Sequence, residues 1–103
     1  MYLIREVLNC KPGKVRSMME KFGAISRVMT EMGQEPLRLL TDVAGEPYWT
    51  LVAEAKVEKI EDFFDFEERL MAHEHIRTTM ADYHDLVESG HREIYRLEPG
   101  TKG

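Results

Sequence analysis

The stretch that decides the fold runs from residue 15 to residue 32 and reads VRSMMEKFGAISRVMTEM. Apolar side chains recur in it at spacings of three and four residues, at Val15, Met18, Phe22, Ile25, Met29 and Met32. This period places them on one face of an amphipathic helix, which must be buried against another element. Pro12 stands where a helix can begin without losing a hydrogen bond, and Gly33 stands where a left-handed cap can end it. The sequence therefore predicts a helix that covers another layer of structure.

The segments beside this helix predict three strands. Tyr2–Asn9 precedes the helix as an apolar run, and Pro36–Val43 and Tyr48–Val57 follow it on either side of a turn at Ala44–Pro47. Alternation in the third strand puts a row of side chains on one face, namely Trp49, Leu51, Ala53 and Ala55. The short turn predicts that the second and third strands form an antiparallel hairpin.

The second half of the chain carries an interrupted helical pattern. The first part has a stripe made of Ile60, Phe63, Phe64, Leu70 and Met71, with Phe66 outside it. After a bend at Met71–His75, a second helical part carries Ile76, Met80, Tyr83 and Val87. Ser89 and Gly90 are predicted to end this helix, and His91–Leu97 is predicted as a fourth strand.

The order of these elements predicts the architecture. Strand, helix, strand, strand, helix, strand is the ferredoxin-like arrangement, an α+β fold with a four-stranded antiparallel sheet. Right-handed crossovers place both helices on one face of the sheet, with strand order 4-1-3-2. We expect a single domain over residues 1–98 and a polar tail over residues 99–103.

Composition narrows the class of protein. The chain has 103 residues, of which 43% are hydrophobic, so it suits one domain with its own core. A net charge of −5 disfavours nucleic acid as a partner, because phosphate binding needs a clustered basic surface. No apolar run approaches the length of a membrane span, so no membrane association is predicted. The single cysteine, Cys10, fits a reducing, cytoplasmic location.

The uncovered face of the sheet predicts a partner. The first and third strands carry apolar residues in both alternating rows, whereas a sheet with one face in water alternates apolar and polar residues more cleanly. We therefore expect the second face to be covered at least in part. A second copy of the chain is the economical cover, since closed twofold dimers are the commonest homo-oligomers.

Two short motifs resemble a known superfamily. Lys11-Pro12-Gly13-Lys14 between the first strand and helix, and the segment LVESGHREIYR at 86–96, are similar to recurrent features of the dimeric α/β barrel superfamily. The resemblance is strongest to its antibiotic-biosynthesis-monooxygenase-like and NIPSNAP-like groups. The matching element order spans residues 2–98, nearly the whole chain.

This resemblance implies a homodimer with a pocket between sheet and helices or within the barrel. Some members are oxygenases that need no flavin or metal, while others isomerise lactones or bind haem. Asn9 and Trp49 are poorly placed for a haem site, so no cofactor is predicted. The expected function is a cofactor-independent monooxygenase or isomerase acting on an apolar or aromatic small molecule. The alternative is a non-catalytic dimeric module that binds a small molecule or a partner.

Candidate site residues cluster around the interrupted helix. His75 and His84 are predicted as catalytic bases, because histidine titrates near neutral pH, and Tyr83 is predicted as a hydrogen-bond donor. Trp49, Tyr48, Tyr95 and Met80 are predicted to line the ligand site. A metal site is not predicted, since His73 and His75 diverge on a helix. The competing interpretation places the aromatic residues in the core or a dimer interface and the histidines in water.

Overall fold

The computed structural model describes residues 1–45 and 47–100 of the chain. Its strands are β1 (Tyr2–Cys10), β2 (Arg38–Thr41), β3 (Thr50–Val57) and β4 (Val87–Arg96). Its helices are α1 (Val15–Glu31), α2 (Ile60–Met71), α3 (Glu74–Thr79) and a 3₁₀ turn at Tyr83–Asp85. The sheet order is β2-β3-β1-β4, and every pairing is antiparallel. The ferredoxin-like fold and the strand order are therefore confirmed, and the sheet is open, with β2 and β4 at its edges.

One face of the sheet carries the core. The register aligns Ile4 with Ala55 and Leu8 with Leu51, so these side chains share the face that the helices cover. Helix α1 buries its stripe on this face, including Met18, which has no exposed surface. The remaining helices add Phe66, Leu70 and the fully buried Ile76 to the same cluster. Both crossovers thus lie on one side, as predicted.

The bounds of α1 follow from local chemistry. Gly33 adopts a φ of +86° directly after the helix, the left-handed cap that the sequence predicted. The chain then returns to the sheet, and the Leu37 amide donates to the Ser26 hydroxyl at 2.8 Å. This bond ties the loop before β2 to the helix that precedes it.

The opposite face of the sheet, which we call the open face, mixes apolar and charged side chains. Leu3, Val7 and Val52 occur there with Glu54, which is 7% exposed. Arg5 lies 3.0 Å from the Glu54 carboxylate, and Arg38 donates to it at 2.9 Å. The open face is therefore less apolar than the strand pattern suggested.

The buried stripe of α2 differs from the prediction. Phe66 and Leu70 are buried, whereas Phe64 and Met71 are 46% and 53% exposed. The reason is helical geometry, since Phe66 lies three residues after Phe63 and four before Leu70, on the same face. Phe64 is turned about 100° away from Phe63 and faces outward.

The segment before β4 also corrects the prediction. A helix does not continue to Val87, because α3 ends at Thr79 and the chain passes through a 3₁₀ turn. Ser89 and Gly90 lie inside β4 rather than stopping a helix. The Ser89 hydroxyl accepts a bond from Asn9 at 3.0 Å, and Gly90 pairs with Leu8 in the register. Long-range strand pairing has overridden the local turn signal.

The hairpin strands are shorter than predicted. β2 covers Arg38–Thr41, and β3 starts at Thr50, so Trp49 is not part of the row on β3. Trp49 has a φ of +64°, outside strand geometry. The Asp42 carboxylate accepts the Thr50 amide at 2.8 Å and closes the loop there. The predicted turn at 44–47 includes Glu46, which lies outside the described residues.

The division into a domain and a tail stays a prediction. Residues 101–103 of the predicted tail, 99–103, lie outside the described residues. Within residues 1–45 and 47–100, no helix is long and apolar enough to cross a membrane.

Candidate functional site

A cavity of about 560 Å³ lies between the helices and the covered face of the sheet. Its floor is formed by side chains of β1 and β3, and its walls come from α1, α2 and the segment between α3 and β4. Most of its lining is apolar and includes Ile4, Leu8, Phe22, Ala53, Phe66 and Met80. An apolar cavity with few polar groups is the usual form of a small-molecule site. We call it the helix–sheet cavity.

A larger hollow of about 780 Å³ lies beside this cavity, at the edge of β3 beyond the end of β2. The two share the apolar residues Met29, Ala55, Phe63 and Phe66. Charged side chains such as Lys59, Asp62 and Arg69 make the lining of the larger hollow more polar. We therefore regard the smaller, apolar cavity as the candidate site.

An ionic network closes one side of the helix–sheet cavity. Arg92 of β4 bonds through Nε to Glu6 of β1, and its two terminal nitrogens reach both carboxylate oxygens of Glu67 on α2. The guanidinium carbon lies 5.2 Å above the Phe63 ring. Burial lowers the pKa of Arg92, but the bonds to Glu67 and Glu6 outweigh it and raise that pKa above its usual value. The charge of Arg92 is therefore already balanced by protein carboxylates.

Tyr83 and His84 stand together in the 3₁₀ turn and line the same cavity. Their rings meet edge to face, with centroids 5.3 Å apart. Burial, with a smaller contribution from the charge of Glu6, raises the pKa of the Tyr83 phenol. No described residue forms a hydrogen bond with that phenol, so it can donate to a bound molecule. A neutral donor and an imidazole thus lie next to each other at the cavity wall.

Lys21 of α1 holds the segment that carries this pair. Its Nζ donates to the Thr79 carbonyl oxygen at 2.7 Å, at the end of α3, and forms an ion pair with Asp82. The bond with Lys21 holds the pKa of the Asp82 carboxyl below its usual value. Helix-terminal carbonyls have no partner within the helix, so a lysine there satisfies one of them.

His75 does not join the predicted catalytic group. It lies exposed in the first turn of α3, and its backbone amide donates to Nδ1 of His73 at 3.2 Å. Neither of these histidines lines the helix–sheet cavity. Of the three predicted catalytic residues, the structure brings together only Tyr83 and His84.

The predicted ligand-binding residues are also divided. Met80 lines the helix–sheet cavity, but Trp49 and Tyr48 lie at a separate hollow of about 570 Å³ next to the start of α1. Tyr95 pairs with Leu3 on the open face and is 50% exposed. Trp49 is displaced because β3 begins one residue after it.

Two charged residues of the site, Glu6 and Arg92, were missed by the sequence analysis. Glu6 stands in the alternating row of β1 between Ile4 and Leu8, both of which face the core. A charged residue in a core-facing row is a signal that could have identified it. Arg92 lies directly opposite Glu6 in the register, which the sequence alone does not reveal.

The free thiol and the side chains that could bind a metal show no second centre among the described residues. Burial raises the pKa of the Cys10 thiol, which is 3% exposed and therefore poorly reactive. Among residues 1–45 and 47–100, no cluster of three or more histidine, cysteine, aspartate or glutamate side chains could hold a metal ion.

Comparison with known proteins supports the fold. Neither a protein-family model nor a curated protein matches the chain. A NIPSNAP-like domain protein from Burkholderia xenovorans, described as uncharacterized, superposes with a TM-score of 0.82 at 16% identity, covering 99% of this chain and 89% of that one. A NIPSNAP family protein of unknown function from Agrobacterium tumefaciens superposes with a TM-score of 0.77 at 19% identity, covering 96% of this chain and 92% of that one.

A candidate antibiotic biosynthesis monooxygenase from Deinococcus radiodurans gives a TM-score of 0.72 at 9% identity, covering 99% of this chain and 97% of that one. These neighbours come from the two groups that the sequence motifs resembled, so the resemblance is confirmed at the level of fold. At such low identity the likeness establishes architecture and leaves the reaction open.

Proposed function

We propose that this protein is a small enzyme that binds an apolar or aromatic molecule in the helix–sheet cavity and removes a proton from it. The observation that carries the proposal is the pairing of Tyr83 and His84 on the wall of an apolar cavity of about 560 Å³. Catalysis by proton transfer needs a base and a group that stabilises the resulting oxyanion. Both groups are present here.

Each of the two residues has a distinct role in this scheme. His84 takes a proton from a carbon next to a carbonyl, and Tyr83 donates a hydrogen bond to the carbonyl oxygen, which becomes negative in the enolate. Because its pKa is raised, the Tyr83 phenol keeps its proton near neutral pH. Tyr83 is half-buried beside apolar walls, where a lower local dielectric strengthens this bond, while His84 stays exposed at the cavity rim.

The deprotonated substrate has two outcomes in this scheme. Return of the proton to a different carbon gives an isomer. Reaction of the carbanion with O₂ converts a CH₂ group to a carbonyl and releases water, with the substrate itself supplying the electrons. The second outcome is a monooxygenase reaction that needs no cofactor, and the Deinococcus radiodurans neighbour is named as a candidate antibiotic biosynthesis monooxygenase.

A deuterium-exchange experiment tests the proton-transfer step directly. 2-Tetralone is an apolar bicyclic ketone with acidic protons next to its carbonyl, and NMR follows their replacement in D₂O. We expect the wild-type protein to accelerate exchange, and Tyr83→Phe and His84→Ala to lose most of that acceleration. Oxygen uptake, measured in parallel, distinguishes oxygenation from isomerisation.

Predicted site residues that lie outside the helix–sheet cavity supply matched controls for this experiment. His75→Ala removes an exposed histidine, and Tyr95→Phe removes a hydroxyl on the open face, so both should leave exchange unchanged. If 2-tetralone binds but exchange is not accelerated, the catalytic proposal is wrong. That result favours the alternative, a non-catalytic module that binds small molecules.

We also propose that the protein is a homodimer through its open face. The mixture there of Leu3, Val7 and Val52 with ion pairs supports this, because the paired charges of Arg5 and Glu54 are already neutralised. A dimer that resembles a divided core buries upwards of about 2,000 Å². A cytoplasmic location is part of the same proposal, supported by the free thiol of Cys10.

Sedimentation equilibrium tests the dimer, with about twice the chain mass of 12.0 kDa expected. Val52→Asp places a charge on the open face and should give a monomer, since an unpaired buried charge is costly. Val43→Asp changes a fully exposed valine and serves as the control. A wild-type monomer at micromolar concentration contradicts the proposal.

A further inference from the structure

The ionic network beside the cavity has an unequal charge balance. Two carboxylates, Glu6 and Glu67, share the single guanidinium of Arg92. The side chains of all three residues line the helix–sheet cavity. With the three groups ionised, this side of the cavity carries a net charge of −1.

The geometry also shows that the charge of Arg92 is already matched by carboxylates of the protein. Both terminal nitrogens of Arg92 donate to Glu67, Nη1 to Oε1 at 3.2 Å, and Nε donates to Glu6. Two-point contacts of this kind are the strongest arginine–carboxylate pairs. Two of the five N–H donors of Arg92 stay open, but its charge is already balanced, so a ligand carboxylate would add a third negative charge around one guanidinium.

A second observation identifies the group that remains free for a ligand. Tyr83 forms no hydrogen bond with any described residue, and its hydroxyl lies over Gly90, where an added Cβ would be 3.8 Å away. A phenol near neutral pH is an uncharged donor. It recognises a carbonyl or hydroxyl oxygen of a ligand without requiring that the ligand be charged.

We infer that the Glu6–Arg92–Glu67 network selects ligands by charge, so that the cavity accepts uncharged, oxygen-bearing apolar molecules and rejects carboxylates of the same shape. This inference rests on the proposed use of the cavity as a ligand site. It adds the chemical class of the ligand, which the proposed reaction leaves open.

The size of the effect follows from simple electrostatics. One excess charge about 6 Å from a ligand carboxylate, at an effective dielectric constant of about 20, disfavours binding by roughly 100-fold. The network is about one-third exposed to solvent, so screening weakens the repulsion. We expect a preference of about tenfold for the uncharged ligand.

Two ligands of equal shape test the inference: 2-naphthamide is uncharged, and 2-naphthoate is an anion at neutral pH. Their dissociation constants are measured by titrating the naphthyl fluorescence. Wild-type protein should bind the amide about tenfold more tightly. Glu67→Gln, which removes the excess charge and leaves Arg92 able to pair, should reduce that preference to near unity or reverse it.

Glu68→Gln is the matched control, because Glu68 is the next residue of α2 and does not line the cavity. Glu6→Gln provides a second test from the sheet side and should act like Glu67→Gln. If wild-type protein binds both ligands equally, or prefers the carboxylate, the charge inference is wrong while the ligand site stands. If Glu68→Gln changes the preference between the two ligands as much as Glu67→Gln does, the inference is also wrong, because the net charge of the protein would then explain the effect. If neither ligand binds, the proposed ligand site fails together with the inference.

Discussion

Replacing Lys21 by methionine tests how the segment with Tyr83 and His84 is held. The Lys21 side chain is only 15% exposed, and its ammonium group donates to the Thr79 carbonyl at 2.7 Å. Hydrogen bonds with a charged partner contribute about 1.5–3 kcal/mol. Methionine retains the packing of the aliphatic stem and avoids burying a charge, which offsets part of the loss. We therefore expect the free energy of unfolding to fall by about 1–2 kcal/mol.

Urea denaturation followed by far-ultraviolet circular dichroism measures this loss, and an unchanged m-value would show that the denatured state is unaffected. Hydrogen exchange should become faster at the amides of residues 79–86 before other parts of the fold. Asp82→Asn separates the two partners of Lys21. Asp82→Asn should lower the free energy of unfolding much less than Lys21→Met, because Asp82 is exposed and solvent screens its ion pair.

The pH dependence gives an independent check of the same contact. The bond with Lys21 lowers the pKa of Asp82 in the folded state. Ionised Asp82 therefore stabilises the fold above the unfolded pKa, and this stabilisation is lost as the pH falls through the folded pKa. The difference between wild type and Asp82→Asn should therefore shrink in acid. If Lys21→Met is as stable as wild type, or less harmful than Asp82→Asn, the reasoning is refuted.

Three other predictions concern the sheet and its buried groups. Gly90→Ala should lower the free energy of unfolding by about 1 kcal/mol, because the added Cβ would lie 3.0 Å from Leu8 Cδ2; a variant as stable as wild type contradicts this. Cys10 should react slowly with a thiol reagent in the folded protein at neutral pH and rapidly in urea, since burial raises the pKa of its thiol. Because the folded pKa is the higher one, the free energy of unfolding should fall as the pH rises above the unfolded pKa of the thiol. Ultraviolet difference titration against Tyr83→Phe should show the Tyr83 phenol ionising above the range of an exposed tyrosine, and an ordinary value would count against its burial.

The order of the elements was predictable because local signals and topology agreed. The stripe from Val15 to Met32 is long enough to identify a helix without tertiary information, and the rule of right-handed crossovers then leaves one strand order. Element ends were less predictable where long-range pairing decides them. Ser89 and Gly90 resemble a helix stop, yet the backbone hydrogen bonds of the β1–β4 pair extend the strand through them.

The site was predictable only in part, for a related reason. Tyr83, His84 and Met80 were grouped because they stand near a visible break in the helical pattern, and they line one cavity. His75 lies apart from them, since its direction depends on where α3 restarts, and His73 sets that point by accepting the amide of His75. The partnership of Glu6 with Arg92 depends on strand register across the whole chain, which no short window of sequence contains.

The break in the second helical region explains why this fold holds a cavity at all. A continuous helix from Ile60 to Val87 would lie along the sheet and fill the space beneath it with its own apolar stripe. The chain instead divides into α2, α3 and a 3₁₀ turn, and Ile76 anchors the middle piece with no exposed surface. The helices then leave part of β4 uncovered, so that Ile94 is 41% exposed. The interruption that weakens the helical pattern therefore both opens the space and carries Tyr83 to its wall.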